Sequence, residues 1–422
     1  MAPLAWIERS VDAAGGAVRS VRAHALRYTL TSLGVAWGIF TLAYLQAAVD
    51  GFHAYYEQQI TKVGERLIVF FPGSEASTAV GERGARFVPI ERRDLESTRR
   101  VATVAAATPE VGAGFRVVRA AGRTKLMYVL GVSHEAEQVR SFTVEHGRFL
   151  AGEDASRSAR VAFLGARAKE RLFGRAPAVG STIRIDGLPF RVVGVSRPKG
   201  SQLLSFGRND DDQILIPYTA AQRALVERDT IDSIFAQATP GAEPSGVATE
   251  VRARIARNHG LRTGAAIDVF DLEEGLAIVR LLGLGMGAFF LATSVITLAV
   301  GAIGVMNIMW LVVGERTREI GLKKAVGAPS SAVFVELLLE AMLVTSMAGL
   351  AGIALGWGAV AATTALVPVD PLTRAPVTAV PILSLGTVAV ISVGIVGVGI
   401  LAGMLPAISA MRIDPAEALR EG

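Results

Sequence analysis

Residues 281–313, LLGLGMGAFFLATSVITLAVGAIGVMNIMWLVV, decide the fold, because 33 consecutive positions carry no Asp, Glu, Lys or Arg. A helix needs about 20 apolar residues to cross the hydrocarbon of a bilayer, so this run is a membrane span with residues to spare. At about 1.5 Å per residue it reaches roughly 50 Å. That length predicts a rod projecting beyond the lipid and linking the two sides. The competing reading is a tilted helix followed by an apolar loop.

Working outward, three more stretches qualify as spans: residues 28–49 (YTLTSLGVAWGIFTLAYLQAAV), 341–369, and 382–405. The first is too long for the apolar core of a signal peptide and follows about 27 polar and mixed residues, so it reads as a retained helix. None of the four runs contains a charged residue, which argues against a carrier driven by protons or ions. The whole chain agrees with this reading: of 422 residues, 51% are hydrophobic and 19% charged, against about 25% charged in an average soluble domain. The net charge of +5 sits beside apolar spans and in a mixed-charge middle region, and points away from nucleic acid.

Lys and Arg in short flanks set the orientation. Arg19, Arg22 and Arg27 precede the first span; Arg316, Arg318, Lys323 and Lys324 lie between the second and third; Arg412 and Arg420 follow the fourth. The loop between the third and fourth spans holds only Arg374. Both termini and the segment around Arg318 are therefore expected in the cytoplasm, in a multi-pass protein of the inner membrane. The predicted organisation is a cytoplasmic amphipathic helix over 1–27 (Trp6, Ile7, Val11, Val18, Val21), a first transmembrane helix over 28–50, an extracytoplasmic domain over 51–275, and a permease domain over 276–422 with helices two to four. The fold class is thus a membrane protein with four transmembrane α-helices and an α+β domain inserted between helices 1 and 2.

The α+β assignment comes from local pattern. RLIVFFPG (66–73), FRVVRA (115–120), KLMYVLGV (125–132) and DQILIPY (212–218) read as strands, and STIRIDGLPFRVVGVS (181–196) as a hairpin turning at Asp186-Gly187. ERRDLESTRRVA (91–102), ARAKERLFG (166–174), TAAQRALVE (219–227) and GVATEVRARIARNHG (246–260) read as helices. Asp210, Asp211 and Asp212 lack the glycine and distal glutamate of a calcium loop and are expected in a solvated loop. Glu153 and Asp154 are expected as turn residues. No catalytic constellation is found. The five histidines have no metal-ligand spacing, and with no cysteine there is no thiol chemistry and no disulfide.

Three GxxxG pairs, Gly283 with Gly287, Gly352 with Gly356, and Gly399 with Gly403, are candidate helix-packing positions, whether within one chain or on a dimer face. After the second span comes GERTREIGLKKAVGAPS (314–330), where Glu315, Arg316, Arg318, Glu319, Lys323 and Lys324 form a dense two-sign cluster. It could dock a cytoplasmic partner or anchor the chain at the bilayer surface.

NIMWLVVGERTREIGLKKAVGA (307–328), LLLEAMLVTSMAGLAGIALGW (337–357) and PAISAMRIDPAEALR (406–420) resemble the permease core of the MacB-like, FtsX-like ABC transporter family. LRYTLTSLGVAWGIFTLAYLQAAVDGF (26–52) resembles its first helix, and VLGVS (129–133), HGRFLAGEDASRSARVAFLGARAKERLFG (146–174) and IRIDGLPFRVVGV (183–195) resemble its periplasmic core domain. The resemblance implies a non-catalytic permease that dimerises with a second copy or a paralogue and couples to a cytoplasmic ABC ATPase. ATP and Mg2+ would sit on that partner, since no GxxxxGK[ST] occurs in these residues. It carries the ATPase-coupling role onto Glu315, Arg316, Arg318, Glu319, Lys323 and Lys324. It further implies a mechanical cycle in which a substrate is expelled from the periplasmic side, with a periplasmic adaptor and outer-membrane channel as further partners. A non-transporting transmitter controlling a periplasmic enzyme, or a lipoprotein extractor, would use the same parts.

Overall fold

The computed structural model describes residues 25–76, 85–202, 205, 208–261 and 267–418. The leading helix expected around Trp6 to Val21 lies outside the described residues. Two compact units result: an α+β unit, Tyr55–Leu281 with Pro368–Val377, and a helical unit made of the remainder.

In chain order, helix α1 (Ala25–Val63) is followed by β1 (Leu67–Ala76), β2 (Ala85–Val88), α2 (Arg92–Arg99), β3 (Val104–Ala120) and β4 (Arg123–Val132). Next come α3 (Ala136–Val139), β5 (Val144–Gly147), α4 (Gly152–Ser156), β6 (Val161–Leu164), α5 (Ala166–Phe173), β7 (Thr182–Ile185) and β8 (Leu188–Ser196). Then β9 (Gln213–Pro217), α6 (Tyr218–Ala221), β10 (Ser233–Ala238), α7 (Pro244–Asn258) and β11 (Ile267–Asp271) close the run of sheet elements. Finally α8 (Leu272–Glu315), α9 (Thr317–Ala325), α10 (Ser330–Leu366), α11 (Leu385–Met411) and α12 (Pro415–Ala418) follow.

The strands form one sheet in the order β11-β1-β10-β3-β4-β9-β6-β8-β5, with β2 beside β1 and β7 joining β3 to β8. The β7–β8 hairpin turns at Asp186 and Gly187, both at positive φ, which is the geometry an Asp-Gly two-residue turn supplies. Strand β9 is buried along its whole length, parallel to β4 and antiparallel to β6. That position explains its unbroken apolar run. Strand β3 is much longer than the sequence pattern indicates. Its first half, VAAATPEV, carries few β-branched residues, yet positions 107–111 are all buried; β10 pairs with Val104–Glu110 and β4 takes over from Val111. Residues 222–226 depart from the expected α-helix and form a π turn after α6.

Two expectations are corrected in this unit. The first concerns Asp210–Asp212, which form a 3-10 turn in which Asp210 and Asp211 are fully buried and not solvated. Asp210 is bonded to Arg140 at 2.5 Å and to Lys199 at 2.7 Å, and Asp211 accepts the backbone N–H groups of Lys199 and Gly200. Arg140 also pairs with Glu110, and Phe235 and Phe142 cover the two cations. Burial works against ionisation of Asp210, but Arg140 and Lys199 hold it below the usual carboxylate range. Glu110 has only a share of Arg140, and burial pushes it up to about 7. The second correction concerns Pro368–Val377, expected as a permease loop. It packs into the α+β unit, where Asp370 receives Arg167 at 2.5 Å and the Val377 carbonyl accepts from the Tyr55 hydroxyl at 2.8 Å.

Among the described residues four helices are long and apolar enough to cross a membrane: Ser32–Ile60 within α1, then α8, α10 and α11. All extend past the expected spans at one end or both. The continuous form of α8, 44 residues without a break, replaces the alternative of a helix followed by an apolar loop. Because the helices run longer than the charge-free stretches, charged residues do lie on them: Asp50 on α1, Arg280 on α8, and Glu336 and Glu340 on α10. The core of the helical unit joins Val35 and Ile39 of α1, Leu298 and Met309 of α8, Leu337 and Ala341 of α10, and Val398 and Ala402 of α11.

Candidate functional site

The segment after α8 is shaped by backbone chemistry. Helix α8 stops at Glu315, Arg316 leaves helical geometry, and α9 starts at Thr317, whose hydroxyl donates to the Val313 carbonyl. At the other end of α9 the N–H of Gly327 reaches Lys324 O and the N–H of Ala328 reaches Lys323 O. This is a Schellman closure, and the φ of +99° at Gly327 makes glycine the fitting residue there. Pro329 then precedes α10, where it cannot continue α9.

The six charges of this segment do not share one role. Arg316 turns inward: Nη1 lies 3.2 Å from Glu340, Nη2 lies 3.8 Å from Glu336, and Nε lies 3.2 Å from Glu319. Lys323 donates to both oxygens of Glu336 at 2.8 and 2.9 Å. Lys324 donates to the carbonyl of Met411 at 3.0 Å, and also to that of Ile413, at the end of α11. Between them Ile320 is buried, and Gly321 faces α12 so closely that an added Cβ would lie 2.6 Å from the Ala418 Cβ. The opposite side of α9 presents Arg318, Leu322 and Val326, spaced by four and exposed, with Val326 83% exposed. Glu315 and Glu319 are also exposed.

Two residues of this site, Glu336 and Glu340, escaped sequence reading. They are four apart in VELLLEA, the spacing that puts two side chains on one helix face, and they follow an Arg-rich and Lys-rich turn. That juxtaposition is the signal that could have found them.

The glycine pairs all meet helices of the same chain. A Cβ on Gly283 would lie 2.8 Å from the His53 ring, and one on Gly287 would lie 3.7 Å from Val49, both on α1. A Cβ on Gly352 would lie 2.5 Å from the Ala36 carbonyl oxygen and one on Gly356 3.0 Å from the Ala43 Cβ, again on α1. A Cβ on Gly399 would lie 2.8 Å from the Thr345 hydroxyl and one on Gly403 2.7 Å from the Ala341 Cβ, both on α10. At the other end of the helical unit Asp50 accepts hydrogen bonds from Ser384 and Thr387, each at 2.5 Å, across the start of α11.

In the α+β unit a cleft of about 720 Å3 is lined by Arg99, Ala106, His134, Glu135, Gln138 and Phe142. Arg99 and Glu135 are paired across it at 2.7 Å, an arrangement that binds polar groups but offers no nucleophile beside a base. Glu153 lies on α4, and Asp154 closes the start of that helix by accepting from the Ala151 N–H and from Arg148. Among the described residues no group of three or more His, Asp or Glu is placed to hold a metal ion.

Comparison with known proteins finds two family matches along the chain. Residues 28–254 match the MacB-like periplasmic core domain, and residues 291–415 match the FtsX-like permease C-terminal region. The chain is 29% identical over 357 residues to the macrolide export ATP-binding/permease protein MacB of Azoarcus sp. (strain BH72), covering 83% of this chain and 52% of that protein. Against the protein of the same name in Shewanella sp. (strain ANA-3) the identity is 29% over 420 residues, covering 98% and 61%. The chain thus spans about half to three-fifths of the length of these relatives. Among solved structures, the periplasmic region of MacB from Actinobacillus actinomycetemcomitans matches with a TM-score of 0.43 at 16% identity, covering 52% of this chain and 95% of that one.

Proposed function

The chain belongs to the family of the MacB-like periplasmic core domain with an FtsX-like permease C-terminal region, and from that premise we propose that it is the permease subunit of an ABC transporter. In this reading α9 faces the cytoplasm, both termini lie on the same side, and the α+β unit stands outside. ATP and Mg2+ act on an ATPase partner. Closure of that ATPase pushes on α9, the long membrane helices move, and the α+β unit expels a periplasmic substrate. The permease works as a pair, with a second copy or a paralogue.

The observation that carries this reading is the division of labour on α9. A surface anchor would aim its cations at lipid headgroups. Here Arg316, Lys323 and Lys324 are spent on internal carboxylates and carbonyls. The surface left outward is a short row of Arg318, Leu322 and Val326, apolar with one charge, which fits a protein partner better than a headgroup layer. Asp50 on α1 lies just past the charge-free run 28–49, and the charges on α8 and α10 fall outside 281–313 and 341–366; the long apolar stretches that remain support work done by helix movement and not by a charged ion path.

The absence of cysteine makes the test direct. Single cysteines at Arg318, Glu319 and Leu322 are placed in the full chain and coexpressed with ABC ATPases of the same genome. Treatment with a short bifunctional reagent should give an adduct with one ATPase whose yield changes with ATP. No adduct at any of the three positions, with the ATPases present in the membrane fraction, overturns the assignment.

A further inference from the structure

We propose that Arg316 and Glu340 are the positioning pair through which movement of α9 enters α10, and so the third membrane helix; this rests on the ATPase-coupled reading of α9. Two routes join these helices. The covalent route runs through residues 326–329, where Val326, Gly327 and Pro329 are all exposed and Gly327 sits at positive φ. A turn with so little packed against it bends before it transmits. The side-chain route is short, and its Glu340 end is shielded from water. Arg316 sits at the junction of α8 and α9, and its guanidinium reaches Glu319 on α9 and both Glu336 and Glu340 on α10. The space enclosed by Ile320, Val333 and Leu337 beside these charges is about 10 Å3, at the lower limit for a single water molecule.

Glu340 is the fixed end of this route. It is 1% exposed, one residue before Ala341, against which Gly403 of α11 packs. A carboxylate in that position is costly unless its partner stays in place. The planar guanidinium holds several carboxylates at set angles, which a lysine ammonium does not. Any displacement of α9 that carries Arg316 with it therefore acts on Glu340, while Glu336, a quarter exposed and shared with Lys323, follows.

The experiment uses the full chain in nanodiscs with spin labels on cysteines introduced at Leu322 and Val335, both exposed, on α9 and α10. The parent pair should give one narrow distance distribution. Glu340→Gln and Arg316→Lys should broaden it, Glu336→Gln should leave it nearly unchanged, and the exchange Arg316→Glu with Glu340→Arg should narrow it again. With the ATPase that crosslinks to α9, Glu340→Gln should lower ATP turnover by ~10-fold while half-saturation by the ATPase stays the same. A distribution in Glu340→Gln and Arg316→Lys equal to the parent overturns the proposal. So does a loss of ATPase binding in Glu340→Gln with the distance preserved, because the residue would then serve docking. If no ATPase crosslinks to the parent chain, the coupling reading fails, and the distance measurements still decide whether the pair positions α9. Should Glu340→Gln fail to insert, Arg316→Lys and the exchange carry the same comparison.

Discussion

Among the described residues, two clusters set an arginine against several acidic groups with a lysine beside them, and they differ in how they meet solvent. In the α+β unit Arg140, Glu110, Asp210 and Lys199 have side chains 4%, 7%, 1% and 7% exposed. At the edge of the helical unit Arg316, Glu336 and Lys323 are 24%, 24% and 48% exposed, and only Glu340, at 1%, is sealed. A closed cluster has no alternative partner for any member, so it fixes one conformation. An open one offers water and other charges to every member but Glu340, so its geometry can shift at small cost. The chemistry is nearly the same; burial makes one a clamp and the other a joint.

The largest expected effect comes from opening the clamp. Arg140→Met keeps much of the volume against Phe235 but takes the cation from Glu110 and leaves Asp210 with Lys199 and the Gln202 amide. Breaking a buried pair on one side costs ~3–5 kcal/mol. Urea unfolding of the α+β unit in the full chain, followed by limited proteolysis, should show a loss in that range. A loss below ~1 kcal/mol would mean that the cluster is hydrated and the contrast with the helical edge is false.

The second effect is a pH dependence to which Glu110 of the clamp contributes. Glu110 stands at about 7, above its ordinary 4.5, because burial and then Asp210 outweigh Arg140. A raised carboxyl contributes stability that is fully present below about 4.5 and is lost as the pH rises through about 7. Asp210 is shifted the other way, so its contribution is present above its ordinary 3.8 and is lost only as the pH falls through its lower folded value. Between pH 5 and 8 the α+β unit should therefore weaken as pH rises, with a slope of up to ~1.4 kcal/mol per unit, and Glu110→Gln should flatten it. An unchanged slope in Glu110→Gln would assign the titration elsewhere.

At the helical edge the expected changes are smaller. Gly321→Val places a Cβ 2.6 Å from the Ala418 Cβ, and α12 must move to admit it. Overpacking of this kind costs ~1–3 kcal/mol. A lower melting temperature in detergent, with the unfolding of the α+β unit unaffected, would locate the damage at α9 and α12.

The clamp and the joint also mark where sequence reading stops. The four apolar helices were legible because lipid forbids charge over a long run, a rule that needs no partner. The Asp186-Gly187 hairpin was legible because the turn is specified by its own two residues. Asp210 and Asp211 were misread because their character depends on Arg140 and Lys199, 70 and 11 residues away, brought together by β9, β4 and the loop after α3. The first half of β3 was missed because Ala, Thr and Pro form a strand there only when paired with β10. At the candidate site the charged turn itself stood out. The inward or outward direction of each charge did not, since that is set by Glu336 and Glu340 on the next helix.

The smallest expected effect is the sharpest on mechanism. Lys323 is half exposed, and its pair with Glu336 is of the kind that contributes ~0.2–1 kcal/mol. Lys323→Ala should therefore leave thermal stability nearly unchanged. If the joint is held by Arg316 and Glu340, the label distance between Leu322 and Val335 should also stay narrow in Lys323→Ala. If it broadens as far as in Glu340→Gln, the exposed pair is holding α9 as much as the buried one. Burial would then not be what separates a fixed contact from a movable one at this edge, and the contrast with the Arg140 cluster would lose its physical basis.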